Sequence, residues 1–166
     1  MISSLKGLVA NKDPKSLVVE VGGIGLKVSA PTETLQKAAR GKAISLFTHL
    51  VVREDALTLY GFADKETLEF FELLIGISGI GPKTAVAILN VASPETIRKA
   101  VASGDTSYLT KVSGIGKKTA DRIVRELEDK IGVPEEGASI SEEVDAVEAM
   151  RSLGYSQAEA REALKK

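Results

Sequence analysis

The chain has 166 residues, 43% of them hydrophobic and 27% charged, with a formal net charge of −1, and this composition excludes a chain that is disordered throughout. Its length suits one ordinary domain or two to three small ones, and the absence of cysteine excludes a disulfide framework, a thiol nucleophile and a cysteine zinc site. No apolar run approaches the roughly 18 residues of a membrane span, and Met1 to Ala10 lacks a signal peptide's apolar stretch, so a cytoplasmic protein is expected.

The first 62 residues alternate and turn like a small β domain. "SLVVEVGGIGLKVSAP" holds two β-branched runs broken by Gly22 and Gly23, the pattern of a hairpin. "TETLQKAAR", from Thr32 to Arg40, is a short helical interruption. "AISLFTHLVV" and "ALTLYGF" follow as two more strands, with "REDA" as the polar turn between them. Some five strands with one helical connection predict a small closed barrel of the OB type, and periodicity does not separate it from an SH3-like barrel.

From residue 63 the pattern becomes helical. "DKETLEFFELLIGI" sets Leu68, Phe71 and Leu74 or Ile75 on one face, with Asp64 as N-cap. "SPETIRKAVASGD" begins with Ser93 as cap and Pro94 at the first helical position, and it stops at Gly104. "KKTADRIVRELEDKIG" is a longer amphipathic helix ending near Gly132. Residues 133–141, "VPEEGASIS", lack periodicity and are the expected linker. In 142–166 a helix stopped by Gly154 and a second one opened by the capping box Ser156 to Glu159 bury too little to fold unaided.

One sentence is written twice. "ISGIGPKTAVAIL" starts at Ile77, and "VSGIGKKTADRIV" starts 35 residues later at Val112. In each copy two glycines flank an isoleucine, Gly79 and Gly81 around Ile80, Gly114 and Gly116 around Ile115. The glycines permit positive φ and close backbone approach, and the isoleucine anchors the turn. The next helix then presents its free N–H groups and dipole outward, a setting that favours an anion. Lys83, Thr84, Lys117, Lys118, Thr119 and Arg122 complete the expected phosphate-binding set. Between Lys83 and Arg125 there are eight basic residues and three acidic ones, although the whole chain is almost neutral. A nucleotide-binding P-loop does not fit, because Gly81 is followed by Pro and Gly116 by two lysines.

This repeat resembles the helix-hairpin-helix motif of proteins that grip the DNA backbone without reading sequence. Together with the barrel ending "THLVVREDALTLYGF", the acidic linker and the final "LGYSQAEAREAL", the chain resembles the RuvA family, the Holliday-junction-binding subunits of bacterial branch migration complexes. The resemblance implies a multi-domain α+β protein. Its parts are an OB-fold barrel over 1–62, tandem helix-hairpin-helix motifs over 63–132, the linker 133–141 and a small UBA-like helical domain over 142–166. The tail is expected to be truncated, because family members usually continue through another helix. Leu26 stands where the family often has Tyr.

The family also implies a homotetramer, or an octamer on DNA, whose basic face holds a four-way junction open and planar. Glu54 and Asp55 match its acidic pin, although on the residues alone they read as a solvated turn. Leu153, Gly154, Tyr155, Ala158, Ala160, Ala163 and Leu164 match the part that binds the hexameric ATPase RuvB, and the RuvC resolvase is implied in the larger complex. No metal, cofactor or catalytic residue is expected. His49, the single histidine, has no accompanying constellation and reads as structural, at a strand end. Tyr60, Phe62, Phe70 and Phe71 read as core. A nuclease subunit and a protein-binding helical adaptor remain as the alternative functions.

Overall fold

The computed structural model describes residues 1–131, which form one compact unit. Five strands come first: β1 (Ser4–Lys12), β2 (Ser16–Val21), β3 (Ile24–Ser29), β4 (Ala43–Val52) and β5 (Leu57–Phe62), with helix α1 (Thr32–Lys37) between β3 and β4. They close in the order β1-β2-β3-β5-β4, β1 pairing with β4 through its first half and with β2 through its second. The register with β2 shifts between Val9 and Asn11, a bulge that lets one strand serve both neighbours. β3 and β5 close the barrel in parallel, Val28 opposite Leu59. This connectivity is that of a five-stranded OB barrel, and it resolves the choice that periodicity left open. Gly22 and Gly23 both have positive φ, 58° and 82°, in the two-residue turn between β2 and β3.

The barrel interior is Leu5, Val9, Leu17, Val19, Val28, Leu46 and Leu59, capped by Leu35 of α1. β5 departs from simple alternation, since its last four residues are all buried. Leu59 and Gly61 face the barrel, where a Cβ on Gly61 would come within 2.5 Å of Val28. Tyr60 and Phe62 instead join a second core formed by the helices. Burial there raises the Tyr60 phenol above its ordinary range, with Arg53 pulling weakly the other way.

That second core belongs to α2 (Lys65–Ile75), α3 (Pro82–Val91), α4 (Pro94–Ala102), α5 (Ser107–Thr110) and α6 (Lys117–Ile131). Asp64 caps α2, its carboxylate accepting from the Thr67 N–H at 2.8 Å, and Ser93 caps α4, accepting from Thr96 at 3.2 Å. Leu74, not Ile75, takes the fully buried position at the end of α2. The four-residue α5 is too short to show a period, and sequence reading did not separate it.

The written repeat is also a packing repeat. Leu74 and Leu109, Ile77 and Val112, Ile80 and Ile115, Ala85 and Ala120, and Ile88 and Ile123 stand 35 residues apart and are all buried. Each motif is thus two helices around one hairpin, α2 with α3 and α5 with α6, and α4 connects them. Barrel and helices meet at Phe71, whose ring lies 4.9 Å from Phe62, 5.2 Å from Tyr60 and 5.6 Å from His49, centroid to centroid. His49 is not at a strand end. It sits within β4 opposite Tyr60, and its Nδ1 lies 2.8 Å from Oε1 of Glu72 on α2. The structural reading stands, but the residue ties the barrel to the helices.

Candidate nucleic-acid interface

Each hairpin is a four-residue turn closed by one backbone bond, from Ile80 N–H to the Ile77 carbonyl and from Ile115 N–H to the Val112 carbonyl, both 3.0 Å. The third residue of each turn has positive φ, Gly79 at 82° and Gly114 at 89°, the requirement of a type II turn. Gly81 and Gly116 do not share it, contrary to the expectation that both flanking glycines are needed for backbone freedom. Gly81 lies at φ −85° as the N-cap of α3, and no atom lies within 4 Å of a Cβ built on either Gly81 or Gly116. Their second role, open space for close approach, remains.

The helix starts after the two hairpins are unlike those of α2 and α4. α2 and α4 are closed by capping side chains, whereas Gly81 has none to offer α3 and Gly116 none to offer α6. N–H groups in a first helical turn lack the regular acceptor four residues back, so these two starts offer donors to an outside anion, although the Thr119 N–H is already bonded to the Gly116 carbonyl at 3.0 Å. Pro82 at the first position of α3 removes one donor without cost, leaving those of Lys83 and Thr84. Thr84 and Thr119 occupy equivalent third positions, both half-buried.

The exposed lysines differ in whether they are paired, and among the described residues Lys6, Lys15, Lys27, Lys42 and Lys111 are, like those of the hairpins, in no ion pair. Lys37, Lys65 and Lys99 are each paired four residues away with a glutamate, at 2.7 to 3.0 Å. Among the described residues, Lys83, Lys117 and Lys118 are exposed and form no ion pair. Lys118, Thr119, Asp121, Arg122 and Arg125 line a shallow recess beside the start of α6. Arg125 was missing from the expected set. Its signal was its spacing, seven residues from Lys118 on one helix face. Arg122 is engaged within the protein, donating from Nη2 to the Ser78 carbonyl at 2.7 Å.

Glu54 and Asp55 occupy the tip of the β4–β5 hairpin, inside a turn in which Arg53 N–H donates to the Ala56 carbonyl at 2.9 Å. Both carboxylates are exposed, as are Val52 and Leu57 beside them. Among the described residues no three His, Asp or Glu side chains gather as metal ligands would, and no helix is long and apolar enough to cross a membrane. The residues expected to meet RuvB, Leu153 to Leu164, lie outside the described part, as do 133–141.

Comparison with known proteins agrees with this geometry. The model of the RuvA N terminal domain matches residues 1–61, and that of the SAM-like helix-hairpin-helix tandem matches residues 71–129. The Holliday junction branch migration complex subunit RuvA of Chloroflexus aggregans is 48% identical over 99% of this chain and 87% of its own length. Its counterpart in Desulforamulus reducens is 44% identical over the whole chain and 87% of its own length, and that of Salinispora arenicola is 52% identical over 80% of the chain and 66% of its own length. A barrel and a tandem hairpin unit matched in chain order, with near-half identity running from end to end, mean that the chain belongs to the RuvA family.

Proposed function

We propose that this protein is a non-catalytic subunit that binds four-way junction DNA by structure and not by sequence, and supports branch migration driven by a partner ATPase of the RuvB type. The observation that carries the reading is the pair of uncapped helix starts, each behind a glycine hairpin and beside unpaired lysines. Backbone donors of Gly81, Lys83 and Thr84 in one motif and Gly116 and Lys118 in the other bind phosphates, while Lys83, Lys117 and Lys118 supply the salt-sensitive attraction. Such contacts hold a duplex without reading its bases.

Selectivity for a junction comes from assembly. Leu8 and Phe47 are exposed on the same outer face of the barrel, at the two ends of the paired rows of β1 and β4, a surface suited to a neighbouring copy in a homotetramer. Four arms at four-fold spacing then engage every copy at once, which one duplex cannot do. Glu54 and Asp55 act as the acidic pin, repelling phosphates at the crossover so that strands separate there. Leu153 to Leu164 form the docking side for RuvB, and RuvC joins the larger complex; the site of action is the bacterial cytoplasm.

A gel shift comparing a four-way junction with linear duplex of equal length, beside size exclusion, tests the reading. Preference for the junction by at least ten-fold and a tetrameric mass are expected. Equal affinity with a strict monomer at micromolar concentration rejects it, and metal-dependent cleavage of the junction by pure protein points to a nuclease instead.

A further inference from the structure

The tandem unit repeats at an offset of 35 residues, yet one contact across it has no counterpart. Arg122, in the second turn of α6, donates from Nη2 to the Ser78 carbonyl of the first hairpin, 44 residues earlier. The same offset takes Arg122 to Ala87 and Ser78 to Ser113, so α3 cannot return the bond to the second hairpin. Two turns along α6, Lys130 donates from Nζ to the carbonyl of Gly76 at 3.3 Å. Gly76 is the C-cap of α2, whose last turn carries no basic residue of its own. A helix C-terminus attracts a cation, and here α6 provides it. Between them Glu126 forms an ion pair with Arg122, 3.8 Å from its Nε. A Cβ on Gly79 would stand 3.0 Å from Nη2, so the fork reaches the turn itself.

We propose that Arg122 and Lys130 are positioning residues that clasp the first hairpin to α6 and so set the separation of the two uncapped helix starts, instead of neutralising phosphates. The inference rests on the proposed reading that both starts bind phosphates of a duplex. The charge-assisted bond to Ser78 gives the Arg122 guanidinium a fixed use inside the protein, unlike the unpaired lysines.

Salt dependence separates the roles in the full chain, because each phosphate-neutralising cation adds about 0.9 to the slope of log affinity against log salt. Lys118→Gln is expected to lower the slope by about that amount. Arg122→Gln and Lys130→Gln are expected to weaken binding of linear duplex several-fold with the slope unchanged. A slope that falls in Arg122→Gln as it does in Lys118→Gln, or native affinity at every salt concentration, overturns the assignment.

A second measurement needs no DNA. Amide exchange at Ile80, which closes the first hairpin, is expected to accelerate several-fold in Arg122→Gln while Ile115 in the second hairpin keeps its native rate. Equal acceleration at both, or none at Ile80, rejects the clasp. Should the native chain bind no DNA, the hairpin reading fails and the exchange result alone decides the clasp.

Discussion

Gly79 and Gly81 are two residues apart and serve different purposes, as do Gly114 and Gly116. At Gly79 and Gly114 the backbone lies where a Cβ costs about 1–2 kcal/mol, so alanine at either position is expected to destabilise the protein by that amount, read as a lower urea midpoint. At Gly81 and Gly116 a Cβ meets nothing in the protein, and the expected stability loss is smaller, about 0.5 kcal/mol from the poorer cap. DNA affinity should fall more at this second pair, because the added carbon occupies the phosphate's approach. Gel shifts and urea titrations on the four variants give the crossed pattern. Asp105 makes a separate prediction. Its carboxylate accepts from the Ser107 N–H at 2.8 Å and from the hydroxyl at 3.0 Å, and these bonds, the backbone one first, hold its pKa below the ordinary carboxylate value. A depressed pKa means stabilisation that is present above the unfolded value and lost as pH falls through the folded one. The connection from α4 to α5 should therefore loosen only on the acid side, and Asp105→Asn should flatten the pH dependence of the Ser107 amide shift.

The elements that carry local punctuation were readable from sequence alone. Asp64, Ser93 with Pro94, and Gly104 mark the ends of α2 and α4 where the structure has them. Replacing Asp64 or Ser93 with alanine is expected to cost about 1 kcal/mol each, measurable by chemical denaturation. Elements without such marks were not readable. α5 is a single turn, shorter than the period that would reveal it, and the closing order of the barrel depends on β1 reaching two partners through a bulge that no local pattern announces. β5 looked like an ordinary strand because the glycine at 61 and the aromatics at 60 and 62 serve opposite faces, and only packing shows that both faces are covered.

For the whole molecule, the aromatic contact around Phe71 makes barrel and helices one structure. Phe71→Ala should cost about 3–5 kcal/mol and leave a single transition, with barrel and helical amides losing protection together in urea. Two separate transitions would show that the domains fold independently. The geometry of the candidate surface was largely legible, because the glycine repeat and its lysines are adjacent in the chain and each copy checks the other. The clasp from α6 to the first hairpin was not, because its partners are 44 and 54 residues apart and a carbonyl acceptor leaves no trace in a sequence. The uncapped starts of α3 and α6 have a thermodynamic consequence. A docked phosphate completes the helix much as Asp64 completes α2, so bound DNA should act as a missing structural part and raise the melting temperature. A ligand at 100 times its Kd adds about 2.7 kcal/mol to native stability. The free protein holds that stability in reserve at the surface proposed to take hold of DNA.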